Sequence, residues 1–506
     1  MRIIKIIFMG VKSKVFLGFY LSFLMITFVG CTDLVEHPNG KPNDPKLIYE
    51  DISNLRATTI AMYAGLRGDA SWSEGFATSS YMTTMYGADD LTTQIGGNKG
   101  NFREFDAFNS SSNNGAILNL WKGCYKGIIN ANAVIEYSAF TIADQASIDN
   151  LVGQAYFVRA LSYFYLVRSW GEIPLFTDNS KSVDIGLSSV AEVYDLLIQD
   201  LKQAEVLLPN RQVEIGLPSK GAAKSLLAEV YLTQAGWPLK ITSSYAMAAE
   251  KAKEVIHNKL IYGYNLLPNF KDLWLRVNDN SEESIFALQY DNRDGAQAFH
   301  ISGKASMPEE EENGWDDFFT ELTFFDEFPA GARKDATFRT EFLNSDNQII
   351  HYTNSKTKHP YYAKFRDGAV DESDPSGTAT FFNNAAYMLI RYSEVLLIYA
   401  EAQARSKGVD QSAYDAINQV RQRAGLSDLS GLNTDDFINA VIDEKGWELA
   451  GEGQRWYDLI RTEKVAEVSA KRSNQEQVVI IGATTTENYY APIPESEVLK
   501  NPNLKK

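Results

Sequence analysis

Residues 154–175 read QAYFVRALSYFYLVRSWGEIPL. With Gly153 in front, this stretch puts Tyr156, Ala160, Tyr163, Phe164 and Val167 at spacings of three and four, which is one face of an α-helix. Gly171 and then Pro174 stop it, the usual order of a C-terminal glycine followed by a residue that cannot continue the helix. The chain is therefore expected to be built on long amphipathic helices.

Working outward, the same period recurs. Residues 188–208 open with Ser189 and Glu192, a capping-box spacing, and stack Val193, Leu196, Leu197, Leu201 and Ala204. Ser219 is placed to cap the next helix, where Ala222, Ala223, Leu226, Leu227, Val230 and Tyr231 form a stripe of small and large side chains. Residues 245–258, 387–406, 412–424 and 435–461 repeat the pattern. The segments come in pairs joined by short turns. This is similar to tetratricopeptide-type helix hairpins, about four pairs in all, although no clean 34-residue signature is present. The fold class is mainly α.

Two regions interrupt the period, at about residues 71–115 and 262–385. Both mix glycine, asparagine and aspartate with scattered aromatic rings. Long irregular insertions on a regular frame are where binding surfaces are usually built.

The bulk numbers exclude several classes. A net charge of −17 argues against nucleic acid or an anionic bilayer as the ligand. No HExxH, GxSxG, P-loop or CxxC occurs, so neither catalysis nor a cofactor is signalled. The five histidines show no metal-ligand spacing, and the acidic run 309–312 lacks the alternation of a calcium loop. If Cys31 is modified, Cys124 is left alone and no internal disulfide can form.

The N-terminus carries an address. Residues 1–14 hold Arg2, Lys5, Lys12 and Lys14 and no acid; residues 15–29 (VFLGFYLSFLMITFV) are apolar, and Gly30 precedes Cys31. Fifteen apolar residues are too few for a spanning helix and suit a secretory signal, expected over residues 1–30. The cysteine that follows resembles the lipobox of bacterial lipoproteins, with Phe28 where that motif usually carries leucine. Cys31 is thus the expected lipidation site and residues 31–47 a proline-containing tether, leaving residues 48–506 as one folded body.

Seven blocks in order resemble the SusD/RagB family of outer-membrane nutrient-binding lipoproteins. They are residues 121–136 (WKGCYKGIINANAVIE), the opening block 154–175, 218–235 (PSKGAAKSLLAEVYLTQA), 390–404 (IRYSEVLLIYAEAQA), 416–426 (AINQVRQRAGL), 443–461 (DEKGWELAGEGQRWYDLIR) and 489–497 (YYAPIPESE). Lys445–Gly446 stands where the family usually has an arginine, and the chain ends without the common NPGY-like sequence. The blocks themselves read as frame, with Arg391, Glu394, Glu452, Arg455 and Asp458 spaced for ion pairs between hairpins.

The resemblance implies a lipid-anchored protein at the cell surface of the outer membrane. It would capture an oligosaccharide without cleaving it and deliver it to a TonB-dependent, SusC-like transporter. Stacking platforms for sugar rings are expected from Trp72, Tyr81, Tyr86, Phe102, Trp274, Tyr290 and Trp315, with polar partners among Asp89, Asn109, Asn292 and Arg293. Peptide or other nutrient capture on the same frame, a lipid-anchored glycan hydrolase and a pure scaffold are the competing readings.

Overall fold

The structure, a computed structural model, describes residues 44–68, 74–179, 184–290, 304–366 and 384–506. Cys31, Trp72, Asn292 and Arg293 lie outside the described residues, as do the signal and most of the tether.

The chain is mainly α. The frame is formed by α1 (Ile52–Arg67), α2 (Ile117–Tyr137), α3 (Gln145–Trp170), α4 (Val190–Leu207), α5 (Lys220–Gln234), α6 (Ser244–His257), α7 (Tyr392–Lys407), α8 (Gln411–Arg423), α9 (Thr434–Glu448) and α10 (Arg455–Arg461). Helices α1 and α2, α3 and α4, α5 and α6, and α7 and α8 pack as four hairpins. Each hairpin packs on the next through α2–α3, α4–α5 and α6–α7, as in tetratricopeptide-like stacks. The 262–385 insertion leaves the stack after α6 and returns at α7 without separating those two helices.

Local chemistry explains the ends. Ser189 accepts from the Glu192 backbone N–H while the Glu192 carboxylate accepts from Ser189 N–H, a complete capping box. The Ser219 hydroxyl accepts from Ala222 N–H. Helix α3 ends at Gly171, whose φ of 72° is a left-handed conformation that glycine tolerates. It starts earlier than the apolar stripe indicates, because the Asp144 carboxylate caps it by accepting from Ser147 N–H.

Two helical expectations need correction. Residues 387–391 form a strand, not the first turn of α7. The other correction divides residues 435–461, which are two helices, α9 and α10, separated where Gly451 and Gly453 adopt φ of 75° and 74°. The frame's interior is aromatic. Trp170 is fully buried with Trp121 edge-on at 5.2 Å between ring centroids, and Cys124 lies beside them as a small buried residue whose thiol is pushed far up by burial.

Strands are short, five of the six described belonging to the insertion and β6 following it. β1 (Ser284–Leu288) pairs antiparallel with β6 (Tyr387–Arg391), β2 (Phe338–Arg339) with β5 (Tyr361–Tyr362), and β3 (Glu341–Leu343) with β4 (Ile349–His351). The first pairing ties the start of the insertion to the start of α7.

A buried ion network fastens the insertion to the frame. Arg391 donates to Glu283 at 3.0 Å, Glu448 at 3.0 Å and both oxygens of Glu452 at 2.8 and 2.9 Å. Arg423 also reaches Glu283 and Glu448, Arg333 bridges Glu444 and Glu448, and Lys364 meets Glu452 at 2.8 Å. Glu283, Arg333 and Lys364 belong to the insertion, whereas the remaining partners lie on β6, α8, α9 and the turn after α9. On the other side of α9, Lys445 stands 3.4 Å from Glu394 and 3.2 Å from Asp458, so the family blocks pair with one another as their spacing suggests. Such pairs fix register more than they add net stability.

Candidate functional site

The two irregular regions meet. Thr92 and Phe319 exchange backbone hydrogen bonds of 2.8 and 3.0 Å, joining the first insertion to the second. Beside this bridge a cleft of about 1000 Å³ opens between residues 94–97, Glu309, Leu322, residues 353–358, Gln475 and Gln477. An adjoining pocket of about 350 Å³ is lined by Gln94, Gly97, Asn98, Lys99, Glu309, Gly314, Trp315 and Asp317.

Each wall is positioned by its own backbone chemistry. Gly97 takes φ of 61°, turning the 94–99 loop, and Arg103 from the helix Gly100–Asp106 donates to the carbonyls of Gln94 and Gly96 at 3.1 and 2.8 Å. Trp315 is carried on a tight return, in which its N–H donates to Lys304 O at 2.9 Å and Asp317 N–H donates to Ala305 O at 2.9 Å. Gly314 is required there, since a Cβ would sit 2.1 Å from Met307 O. The indole is half-buried and forms part of the pocket wall.

Charges at the floor are balanced. The Lys99 ammonium pairs with Asp317, which also accepts from Ser79 at 2.5 Å; burial pushes the Asp317 carboxyl up, opposed by Lys99. Asp316 is pushed by burial to about 6, against the Tyr361 hydroxyl at 2.5 Å and the Glu309 N–H at 2.8 Å. The open surface offers the amides of Asn98 and Gln475, the hydroxyl of Thr353, and the exposed ammonium groups of Lys356 and Lys358, with Gln94 buried in the wall and the Gln477 amide engaged by Thr357 O and Ile95 N–H. One aromatic ring beside a ring of neutral donors and acceptors can hold a polyhydroxylated ligand through stacking and hydrogen bonds. Among the described residues no group of three or more His, Cys, Asp or Glu side chains could hold a metal ion.

Among the predicted site residues, Trp315 lines the pocket that adjoins this cleft. Tyr81, Tyr86 and Phe102 are buried, Tyr86 stacking on Phe102 at 4.8 Å and Tyr81 meeting the Tyr387 hydroxyl. Asp89 is engaged by Arg455 at 2.8 and 3.0 Å, and Tyr290 is buried beneath Arg67. Asn109 is exposed at the end of the 100–106 helix, apart from the cleft lining. Trp274 faces the ion network, with Lys364 Nζ 4.5 Å and the Arg391 guanidinium 5.5 Å from its ring. Most aromatic rings of the insertions are therefore consumed by the buried core, which is continuous with that of the frame. The polar lining, including Gln94, Lys99, Lys356, Gln475 and Gln477, was missed. The glycines at 96 and 97 flag the first loop, but nothing near residues 475–477 marks them as a wall.

Comparison with known proteins follows the same division. A model described as the SusD family matches residues 330–506, and one described as starch-binding associating with outer membrane matches residues 45–232. The chain belongs to the SusD family. SusD-like protein P2 of Formosa agariphila is 28% identical, over 95% of this chain and 97% of that protein. A SusD superfamily protein from Parabacteroides distasonis has the same fold, with a TM-score of 0.77 and 27% identity over 90% of this chain and 98% of that one. A structure named as a laminarin binding SusD-like protein gives a TM-score of 0.73 at 24% identity, covering 90% and 98%. In this SusD-family chain the frame is the four-hairpin stack. No helix among the described residues is long and apolar enough to cross a membrane.

Proposed function

We propose that this SusD-family chain is a non-catalytic glycan receptor, held on the outer membrane by acylation of Cys31, that captures an oligosaccharide and delivers it to a SusC-like, TonB-dependent transporter. The observation that carries the reading is Trp315, half-exposed in a pocket whose other walls are the amide side chains of Gln94 and Asn98, two glycines, the Glu309 carboxylate and the Lys99–Asp317 pair. That lining matches a neutral sugar ring, with its C–H face and its rim of hydroxyls. The glycan-binding names and descriptions carried by SusD-family relatives support the same ligand class. Residues 1–30 act as the export signal and residues 31–47 as the tether, so capture takes place close to the transporter mouth.

Isothermal titration of the chain lacking residues 1–31 against malto-oligosaccharides and laminari-oligosaccharides, followed by a wider neutral-glycan array, tests this. Binding without release of new reducing ends is expected, and Trp315→Ala should weaken it about 10- to 100-fold. New reducing ends would make the protein a hydrolase. Binding that ignores Trp315→Ala would move the site elsewhere. Cys31→Ala should leave affinity unchanged and abolish uptake.

A further inference from the structure

The cleft's far wall comes from residues 475–477, remote in sequence from both insertions. Glu476 is buried, and its two oxygens are divided. Oε1 accepts from Leu322 N–H at 2.7 Å, and Oε2 meets His359 Nε2 at 2.8 Å. His359 Nδ1 contacts Thr357 O at 2.7 Å. A carbonyl can only accept, so Nδ1 carries a hydrogen there. The contact between Nε2 and a carboxyl oxygen then requires one more proton shared by the two side chains. Both are almost dry, with side-chain exposures of 1% for His359 and 2% for Glu476.

The next residue extends the same connection. Gln477 Nε2 donates to Thr357 O at 2.8 Å, and its Oε1 accepts from Ile95 N–H at 2.9 Å. The imidazole packs on Phe319 at 4.8 Å, the residue bridged to Thr92. Three cleft walls, at residues 94–97, Leu322 and residues 353–358, thus converge on two consecutive side chains. Of the neighbouring charges, Arg472 pairs with Asp106, lies 3.2 Å from Glu321 and is also attracted by Glu476, which Asp106 and Glu321 repel.

We infer that Glu476 and Gln477 are positioning residues, forming a latch that sets the separation of the cleft walls and with it the affinity for ligand. The inference rests on the cleft being the glycan site, and it deepens that reading. Loss of Glu476 removes the tie between Leu322 and His359, and loss of Gln477 the tie between Ile95 and Thr357. The Glu476→Gln amide can preserve the latch. Its oxygen still accepts from Leu322 N–H, and its N–H₂ donates to neutral His359 Nε2 without a shared proton.

Two measurements on the chain lacking residues 1–31 decide it. By amide hydrogen exchange, Glu476→Ala and Gln477→Ala should each speed exchange about tenfold or more in residues 94–97 and 353–358, including Ile95 N–H, whereas Glu476→Gln should match the native protein. By titration with malto- and laminari-oligosaccharides, the two alanine variants should lose about tenfold in affinity and Glu476→Gln should retain it. Gln477→Ala, at a half-buried position, keeps the test open should Glu476→Ala fail to fold. Unchanged exchange in both loops overturns the latch. So does faster exchange with unchanged affinity in a protein whose native form binds either glycan. If the native protein binds neither of these nor any glycan of the wider neutral array, the glycan reading of the cleft fails, while the exchange result still judges the latch.

Discussion

The ion network around Arg391 and the cleft around Trp315 draw on the same insertion and on similar residue types, yet they are built in opposite ways. In the network, Glu283, Arg333 and Lys364 from the insertion are dry and engaged by Arg391, Arg423, Glu444, Glu448 and Glu452. In the cleft, Lys356 and Lys358 are exposed and the amides of Asn98 and Gln475 face open space. Polar groups that satisfy one another internally specify how the insertion sits on the frame. Those left partly unsatisfied are free to receive hydroxyls. Polarity alone does not identify a binding site, and the arrangement of partners does.

The largest effect is expected from breaking the network. Arg391→Ala would strand Glu283, Glu448 and Glu452 in a buried setting with fewer cations, and removing one partner of a buried cluster costs about 3–5 kcal/mol. Chemical denaturation should show that loss. An Arg391→Ala protein within 1 kcal/mol of native stability, as this scale reckons it, would mean that the network is replaceable packing, and the contrast with the cleft would collapse.

Acid should reach the floor of the cleft first, where Asp316 stands at about 6, and the buried ion pairs only at much lower pH. Burial pushes Glu401 up, but Arg461 at 2.6 Å and Arg405 at 2.8 Å outweigh it and hold the carboxyl at about 2. Glu448, surrounded by Arg423, Arg391 and Arg333, is likewise held at about 2 against the push of burial. A folded value below the unfolded one gives stability that is fully present above the ordinary carboxylate range and disappears as pH falls through the folded value. For Glu401 alone the loss between pH 4.5 and about 2 is about 3 kcal/mol. Melting measured down that range should fall steeply. A flat profile would show that these pairs add nothing to the folded state.

Two tryptophans from the same insertion sharpen the comparison further. Trp274 lies against Phe270, Phe365, Lys364 and Arg391, covering the network, while Trp315 lines the pocket that adjoins the cleft. Trp274→Ala should cost about 2 kcal/mol of stability, part of the usual penalty for a fully buried tryptophan, and leave glycan affinity within about twofold. Trp315→Ala should do the reverse. Equal loss of both properties in both variants would show that the network and the cleft are one cooperative unit.

The frame was legible because helices announce themselves in spacing and caps, as Ser189 with Glu192 and the stripe from Tyr156 to Val167 illustrate. Residues 387–391 misled because a strand that feeds directly into α7 continues the same apolar run, and only its distant partner Ser284–Leu288 makes it a strand. The cleft was largely illegible for a related reason. Its lining comes from five separate segments, and no local period links Gln94 to Gln477. Tyr86 and Phe102 looked like platforms because aromatic rings in an irregular region were read as surface, whereas these rings pack into the core shared with the frame.

The smallest effect belongs to an ion pair that joins the same two parts of the chain in water. Lys471 lies 3.4 Å from Glu327 of the insertion, and the two side chains are 50% and 56% exposed. It therefore connects insertion to the C-terminal third much as Arg333 does through Glu448, but without burial. Lys471→Ala should change stability by less than about 0.5 kcal/mol, because solvent screens the attraction and fixing two long side chains costs entropy. Set beside Arg391→Ala, this separates topology from environment. If Lys471→Ala proved as damaging as Arg391→Ala, bridging the insertion to the frame would be the property that matters. If it is silent, burial gives the network its weight, and the exposed charges of the cleft are available to a ligand without loss to the fold.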